Sequence, residues 1–449
     1  MNNKSIVLLF IAALLSGAQA PVPDLLENVA ARPRMRLEEF QQLALTANPT
    51  LKEANAIVIQ SSAQALQAGL YPNPLVGYQG EQIRGGSYRG GEQGAFIQQT
   101  LILGGKLALR RNVYDQQRRA DEIGVSEQRF RVLGDVGQSF YSAVAAQETV
   151  DLRQRLLSLA LDAVATAHQL ANVGQADAPD VLQSEVEAEQ AKLDYMTAQR
   201  TYIQSFRSLA ALAGKPELPV SPLGGDLEHP PQLDSGQIID QIVSGSPSVK
   251  RAQQDIVRAR AELKSVKREA IPDLQIRAGF QQNFERLGET TGNPVGLQAF
   301  TTAGITLPIF NRNQGNMAAA KAEIEKAEAE VSRVQLSLRQ STQPLLQAYL
   351  SNQEQAERYR TEMIPRAARA YQLYLAKYRS MGAAYPQVLV SQRTFFQLQV
   401  AYISTLENLW VNAISLQNFM LSSGLSASAS SGIFNTTLNL PTASAGGAQ

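Results

Sequence analysis

From Leu107 to Asn172 the sequence reads as one helix of 66 residues without a single proline. At 1.5 Å per residue it would be roughly 99 Å long, far beyond a helix in an ordinary globular domain. Such an element must be covered along its whole length by other helices. The run ends at Asn172-Val-Gly-Gln-Ala-Asp-Ala-Pro-Asp-Val-Leu182. Gly174 can take the left-handed conformation that stops a helix, and Pro179 fits the first turn of the next. The same order of Gly, Pro and Val-Leu returns in Ser380-Met-Gly-Ala-Ala-Tyr-Pro-Gln-Val-Leu389. Each copy reads as the tip of a long helical hairpin.

The surrounding chain is duplicated too. A first repeat, 37–214, and a second, 238–424, share the plan helix, β-hairpin, long helix, tip, helix. Asn48-Pro49 and Ser246-Pro247 break the opening helix of each. Tyr71-Pro-Asn-Pro74 and Ile271-Pro-Asp273 stop it before strands expected at about 75–84 and 95–103, then about 273–282 and 298–307. Leu274 to Gln281 alternates apolar and polar residues, the mark of a strand with two unlike faces. Pro344 and Pro365 are expected to kink the second long helix. Two adjacent apolar seams mark the last helix, one through Val388, Phe395, Tyr402 and Leu409, the other through Leu389, Phe396, Ile403 and Trp410. They suit packing on both sides, although a broad-faced helical core gives the same pattern.

Residues 1–20 read as a secretory signal peptide, with Lys4, the apolar run Ile6–Leu15, and cleavage after Ala18 or Ala20. Residues 21–36 read as extended, 215–237 as a proline-rich linker, and 425–449 as a disordered Ser/Ala/Gly tail. The chain has no cysteine and only two histidines, so thiolate sites and disulfides are excluded and His-based catalysis has little to draw on. No enzyme, cofactor or metal site is expected. With Lys4 removed, 40 basic residues face 40 acidic ones, which gives no basic surface for nucleic acid. His168 and His229 read as solvated surface. Gly104-Gly-Lys106 reads as a strand-to-helix corner, since it lacks the spacing of a phosphate loop. Tyr78, Tyr88, Phe96, Phe280, Phe284 and Phe300 could form an interfacial aromatic belt or simply pack within the sheet.

Four strands cannot close a transmembrane barrel, which needs about eight, and an open sheet cannot face lipid with unpaired edges. Several chains must then share one barrel, and three would supply twelve strands. The expected fold is mainly α with a small β part: duplicated helical hairpins in a trimeric α-barrel, above which four strands per chain join a common twelve-stranded β-barrel.

The chain resembles the TolC family of outer-membrane efflux channels over Leu37 to Leu421. The resemblance is carried by the duplicated plan, Asn48-Pro49 with its echo, Tyr71-Pro-Asn-Pro74, Gln99-Thr-Leu-Ile-Leu-Gly-Gly-Lys106 and the two tips. Leu103-Gly-Gly-Lys106 also resembles the heavy-metal branch, the CzcC type. The resemblance implies a passive homotrimeric duct in outer-membrane lipid, extending into the periplasm; without a cysteine to acylate, no N-terminal lipid anchor is expected. It implies docking to a periplasmic adaptor and an inner-membrane pump of the RND type, with the linker in a belt around the tunnel. Heavy-metal cations are the expected cargo; multidrug efflux, type I protein secretion and a periplasmic coiled-coil adaptor stay open as alternatives.

The resemblance places a gate at the tips, at Asp180, Tyr378, Arg379, Tyr385 and Gln387. Asp180 stands where the family often has an acid that locks the closed state through an arginine, but Ala384 occupies the aligned basic position. The usual acidic ring is replaced by Gln387 and Val390. Adaptor docking is expected at Gly174, Val181, Leu182, Gly382, Val388 and Leu389.

Overall fold

The computed structural model describes residues 25–26, 29, 31–85, 88–89, 91–174, 177–286, 293–380 and 385–426. The leader at 1–20 and the tail beyond 426 lie outside them. The helices are α1 (Leu37–Ala47), α2 (Pro49–Ala68), α3 (Lys106–Asn172), α4 (Ala178–Leu212), α5 (Ile238–Gly245), α6 (Pro247–Arg268), α7 (Gln314–Arg358), α8 (Ile364–Arg379) and α9 (Tyr385–Gln417). The strands are β1 (Leu75–Glu81), the short β2 (Arg84–Gly85) and β3 (Tyr88–Arg89), β4 (Glu92–Leu101), β5 (Leu274–Arg286) and β6 (Pro294–Ile305). None of the described helices is long and apolar enough to cross a membrane.

Both Pro-marked breaks use the same local chemistry. Asn48 is extended, at φ −64° and ψ 124°, and its side chain accepts the Thr50 N–H at 2.9 Å. Ser246 has φ −54° and ψ 129°, and its hydroxyl accepts the Ser248 N–H at 3.3 Å. Proline follows each cap, where its missing N–H costs no helical bond. The second long helix departs from expectation. Pro344 sits inside continuous α7. At Pro365 the helix widens into a π turn, Tyr359–Met363, with the Ile364 N–H donating to the Tyr359 carbonyl. Proline cannot donate to the carbonyl four residues back, and the wider turn absorbs the missing bond.

The chain forms two compact units. One takes in residues up to Ala47, with Asp135–Gln232 and Gln347–Ile414; the other takes Asn48–Gly134, Leu233–Leu346 and the residues from Ser415.

The first unit is built around aromatic side chains. Phe40 and Phe206 are fully buried, and Phe40 meets Phe140 and Phe206 at centroid distances of 5.9 Å each. Tyr141 stacks on Trp410 at 3.6 Å. The linker is fastened to this unit through its backbone carbonyls. Tyr202 donates to Ser221 at 2.6 Å, Trp410 to Leu227 at 3.0 Å and Tyr349 to Pro231 at 2.8 Å. Gln147 bonds both the N–H and the carbonyl of Leu223, at 2.8 and 3.2 Å. A proline-rich segment with no ladder of its own thus has its polar backbone satisfied by side chains.

The second unit holds the sheet, in order β1-β4-β5-β6 with every pair antiparallel. The long strands of the second repeat run further than expected, into Arg286 and from Pro294. The register sorts the residues into two faces. Val76, Tyr78, Ala95, Ile97, Ala278, Phe280 and Leu297 fall on one; Gln79, Glu92, Gln98, Arg277, Gln281, Asn283 and Gln298 fall on the other. Val76, Tyr78, Phe280 and Leu297 are exposed, an apolar surface with no cover among the described residues. Of the proposed aromatic belt, Tyr78 and Phe280 lie on this face, whereas Phe96 and Phe300 lie on the polar one, because alternation turns them inward. The side chain of Tyr88 lies outside the described set.

The strand-to-helix corner is confirmed as such. Gly104 and Gly105 have φ of +73° and +71°, and the Lys106 ammonium, 3% exposed, lies 2.8 Å from Asp273. Asp273 also accepts the Leu103 N–H at 3.1 Å, so one carboxylate joins the corner to the start of β5. In the same unit Gly424 is held by Thr50 and Gln128, at 2.8 and 3.0 Å.

Candidate functional site: the hairpin tips

Both tips belong to the first unit. At the first, Gly174 has φ +72°, and a Cβ there would meet nothing within 4 Å. The glycine is required by the backbone conformation and not by crowding. Asp177 caps α4 in extended conformation without a side-chain bond, Pro179 occupies the first turn, and the Asp180 N–H donates to the Asp177 carbonyl at 3.0 Å. The half-buried Asp180 carboxylate sits at a helix N-terminus, where the dipole favours it. It forms no ion pair among the described residues. Residues 381–384, with Gly382 and Ala384, lie outside them, as does the side chain of Arg379.

At the second tip α9 begins with Tyr385, whose ring lies 5.5 Å from that of Tyr378. Burial, then the neighbouring Tyr378 and the acidic Glu187 and Asp180, push the Tyr385 phenol up to about 12. Burial and the Asp180 charge raise Tyr378 as well. The structure therefore brings Asp180, Tyr378 and Tyr385 into one electrostatic neighbourhood, while Gln387 points to solvent. Val388 and Leu389 are 4% and 9% exposed, so they are core residues here and not presented contacts. The apolar surface near the tips is carried by Leu182, Val186 and Val390, each more than 60% exposed; Val181 is half-buried.

Just past the tips the two hairpins are tied by charge. Arg393 of α9 forms a two-pronged ion pair with Glu187 of α4, its Nε 3.3 Å from Oε2. Arg153 of α3 meets Asp194 of α4 at 2.8 Å. These four residues line a cavity of about 510 Å³, floored by Leu389 and Phe396. The sequence signal for the Arg393–Glu187 pair was the duplication: each lies about one turn past the Val-Leu of its own tip, which puts them at matching heights. The histidines also have partners. His168 Nε2 lies 3.1 Å from Glu185 across the first hairpin, and His229 Nδ1 lies 2.7 Å from Asp226. No group of three metal-ligating side chains occurs among the described residues. The site offers ion pairs, phenols and an apolar rim, which suits reversible packing of helices.

A family model described as outer membrane efflux protein matches residues 41–215 and 238–420. The chain is 25% identical over 391 residues to the cobalt-zinc-cadmium resistance protein CzcC of Cupriavidus metallidurans, covering 86% of this chain and 90% of that one. It is 23% identical to the toluene efflux pump outer membrane protein TtgC of Pseudomonas putida, covering 82% and 79%. Among solved structures it superposes on CusC, described for its transmembrane channel formation, with a TM-score of 0.70, 18% identity and coverage of 86% and 92%.

Proposed function

The chain belongs to the outer membrane efflux protein family and is an outer-membrane efflux channel; from that premise we propose a homotrimer whose three sheets close one twelve-stranded barrel. The observation that carries this reading is the sheet itself. Its edges, β1 and β6, are unpaired among the described residues, and one face is exposed and apolar. In lipid every backbone group must be bonded, so each edge needs a neighbouring copy. The polar face would line the water-filled duct and the apolar face would meet lipid.

The duct works with a periplasmic adaptor and an inner-membrane pump of the RND type, and it exports heavy-metal cations. Similarity to CzcC along most of both chains favours this cargo. Similarity to TtgC, weaker but again along most of both chains, supports a second reading, efflux of apolar organic molecules. The periplasmic gate lies at the tips. Asp180, Tyr378, Tyr385, Gln387 and Arg379 line it, and the Arg393–Glu187 pair substitutes for the missing arginine lock by tying the hairpins one turn away. Adaptor docking falls to the turns at Gly174 and Gly382 and to Val181 and Leu182, with Val388 and Leu389 supporting them from the core.

Extraction from outer membranes should yield a heat-sensitive trimer on semi-native electrophoresis; a soluble monomer would overturn the reading. A deletion strain should become sensitive to cobalt, zinc and cadmium. Sensitivity to toluene and dyes alone would transfer the cargo assignment to the second reading.

A further inference from the structure

The polar face of the sheet carries one cation that is fixed in place with unusual thoroughness. The register puts Gly77, Phe96, Gly279 and Phe300 in a single row across the four strands. A Cβ on Gly77 would come within 2.5 Å of the Phe96 ring, and one on Gly279 within 2.7 Å of the Phe300 ring. Each phenyl ring thus lies down over a neighbouring glycine, where any side chain would lift it. The Arg277 guanidinium is held above these rings, 3.8 Å from the Phe96 centroid and 5.7 Å from that of Phe300. An arginine over aromatic faces gains cation–π attraction and gives up little freedom in doing so.

The charge is also left largely unneutralised. Arg277 forms no ion pair among the described residues. Its Nη2 donates to the side-chain Oε1 of Gln79, and Nε2 of the same side chain donates to Glu81, so the acid is kept one side chain away. Its Nε–H is buried without an acceptor. The other acid of this face, Glu92, sits directly opposite Glu81 and is occupied by Asn283 at 2.7 Å and by Gln281. Acids thus gather toward one end of the strands, and Arg277 stands apart from them among Gln98, Gln275 and Thr302.

Resting on the reading that this face lines the duct, we propose that Arg277 is a specificity-determining residue: a fixed cationic filter, seated on Phe96 and Phe300, that favours anionic solutes and slows free cations through the barrel. Rings of charged side chains set the sign of permeant ions in other pores by the same electrostatics. The residue cannot drive transport, and as a passive barrier it retards cations equally in both directions, the proposed metal cargo included, so outward flow of that cargo depends on the pump.

The absence of cysteine makes the test direct. Thr302 faces Arg277 in the register, and Thr301 falls on the opposite face. Single variants T302C and T301C would be made in the full-length protein in intact outer membranes, and their rates of modification by an anionic and a cationic methanethiosulfonate compared. Both reagents enter from outside, so a closed tip does not matter. At T302C, at low ionic strength, the anionic-over-cationic rate ratio should fall about fourfold when Arg277→Gln is added, the ratio that an unscreened unit charge ~10 Å away in water imposes between a monoanion and a monocation. Arg277→Lys should keep most of the ratio, which separates charge from packing. An unchanged ratio in R277Q, with T302C still reactive, overturns the filter and leaves the duct reading intact. A silent T302C beside a reactive T301C overturns the duct reading of this face, and the filter with it.

Discussion

The two hairpin tips have the same punctuation and opposite surfaces. The first leaves Leu182 and Val186 in the open and spends its glycine on a turn with no neighbours. The second buries Leu389 at the position matching Leu182, together with Val388 and Tyr385 just before it. A Val-Leu pair after a proline therefore specifies a helix start but not which way its apolar side faces. That depends on the helices alongside: α9 is packed on both of its seams here, whereas Leu182 and Val186 of α4 are left more than 60% exposed. The first tip is built to be joined, and the second to hold its shape.

The comparison can be broken most forcefully at Leu389. Leu389→Ala should destabilise the first unit by about 2–4 kcal/mol, whereas Leu182→Ala should change stability by less than about 0.5 kcal/mol and instead weaken adaptor capture. Denaturant unfolding with a parallel pull-down of the adaptor checks both; equal stability losses would erase the distinction. Alkaline titration reads the second tip as the difference between the protein and Tyr385→Phe, because burial also raises Tyr141, Tyr202 and Tyr402. A phenol held at about 12 in the folded state binds its proton more tightly than it does unfolded, near 10. Its contribution is complete below pH 10 and is lost as pH rises through that interval toward 12. Tyrosinate absorbance should show a late-titrating group that Tyr385→Phe removes.

Smaller effects are expected from the charges. Glu187→Gln should cost about 1 kcal/mol or less, because the pair is partly exposed, yet raise the single-channel conductance of the purified protein by loosening the hairpins. Asp180→Ala should raise conductance less; if it leaves conductance unchanged, its part in the lock is withdrawn while the tip remains the gate. Gly174→Ala should cost about 1 kcal/mol from left-handed strain alone, as the site has room for the methyl group. Thermal unfolding measures it.

The sequence made the helical hairpins and both helix breaks legible because proline and glycine act locally: Asn48-Pro49 and Ser246-Pro247 end helices whatever surrounds them. Alternation likewise announced the strand at Leu274. What stayed hidden depends on partners distant in sequence. Nothing before the register told that Phe96 and Phe300 share a face with Arg277, since each reads alone as a strand aromatic. For Arg393 and Glu187, 206 positions apart, the duplication gives matching heights but does not mark them as partners. Pro365 forecast a disturbance but not its form, because a π turn and a kink both relieve the same missing bond.

The open sheet has a consequence for inheritance. If copies pair β6 of one with β1 of the next, every subunit carries two unlike seams, and the ring closes only when all of them are sound. One subunit with a proline set into β6 would spoil a barrel in which its companions are normal. In a cell expressing both forms equally, most assemblies would contain at least one bad copy. Damage to this edge should therefore behave as a dominant trait, while loss of the whole chain should not.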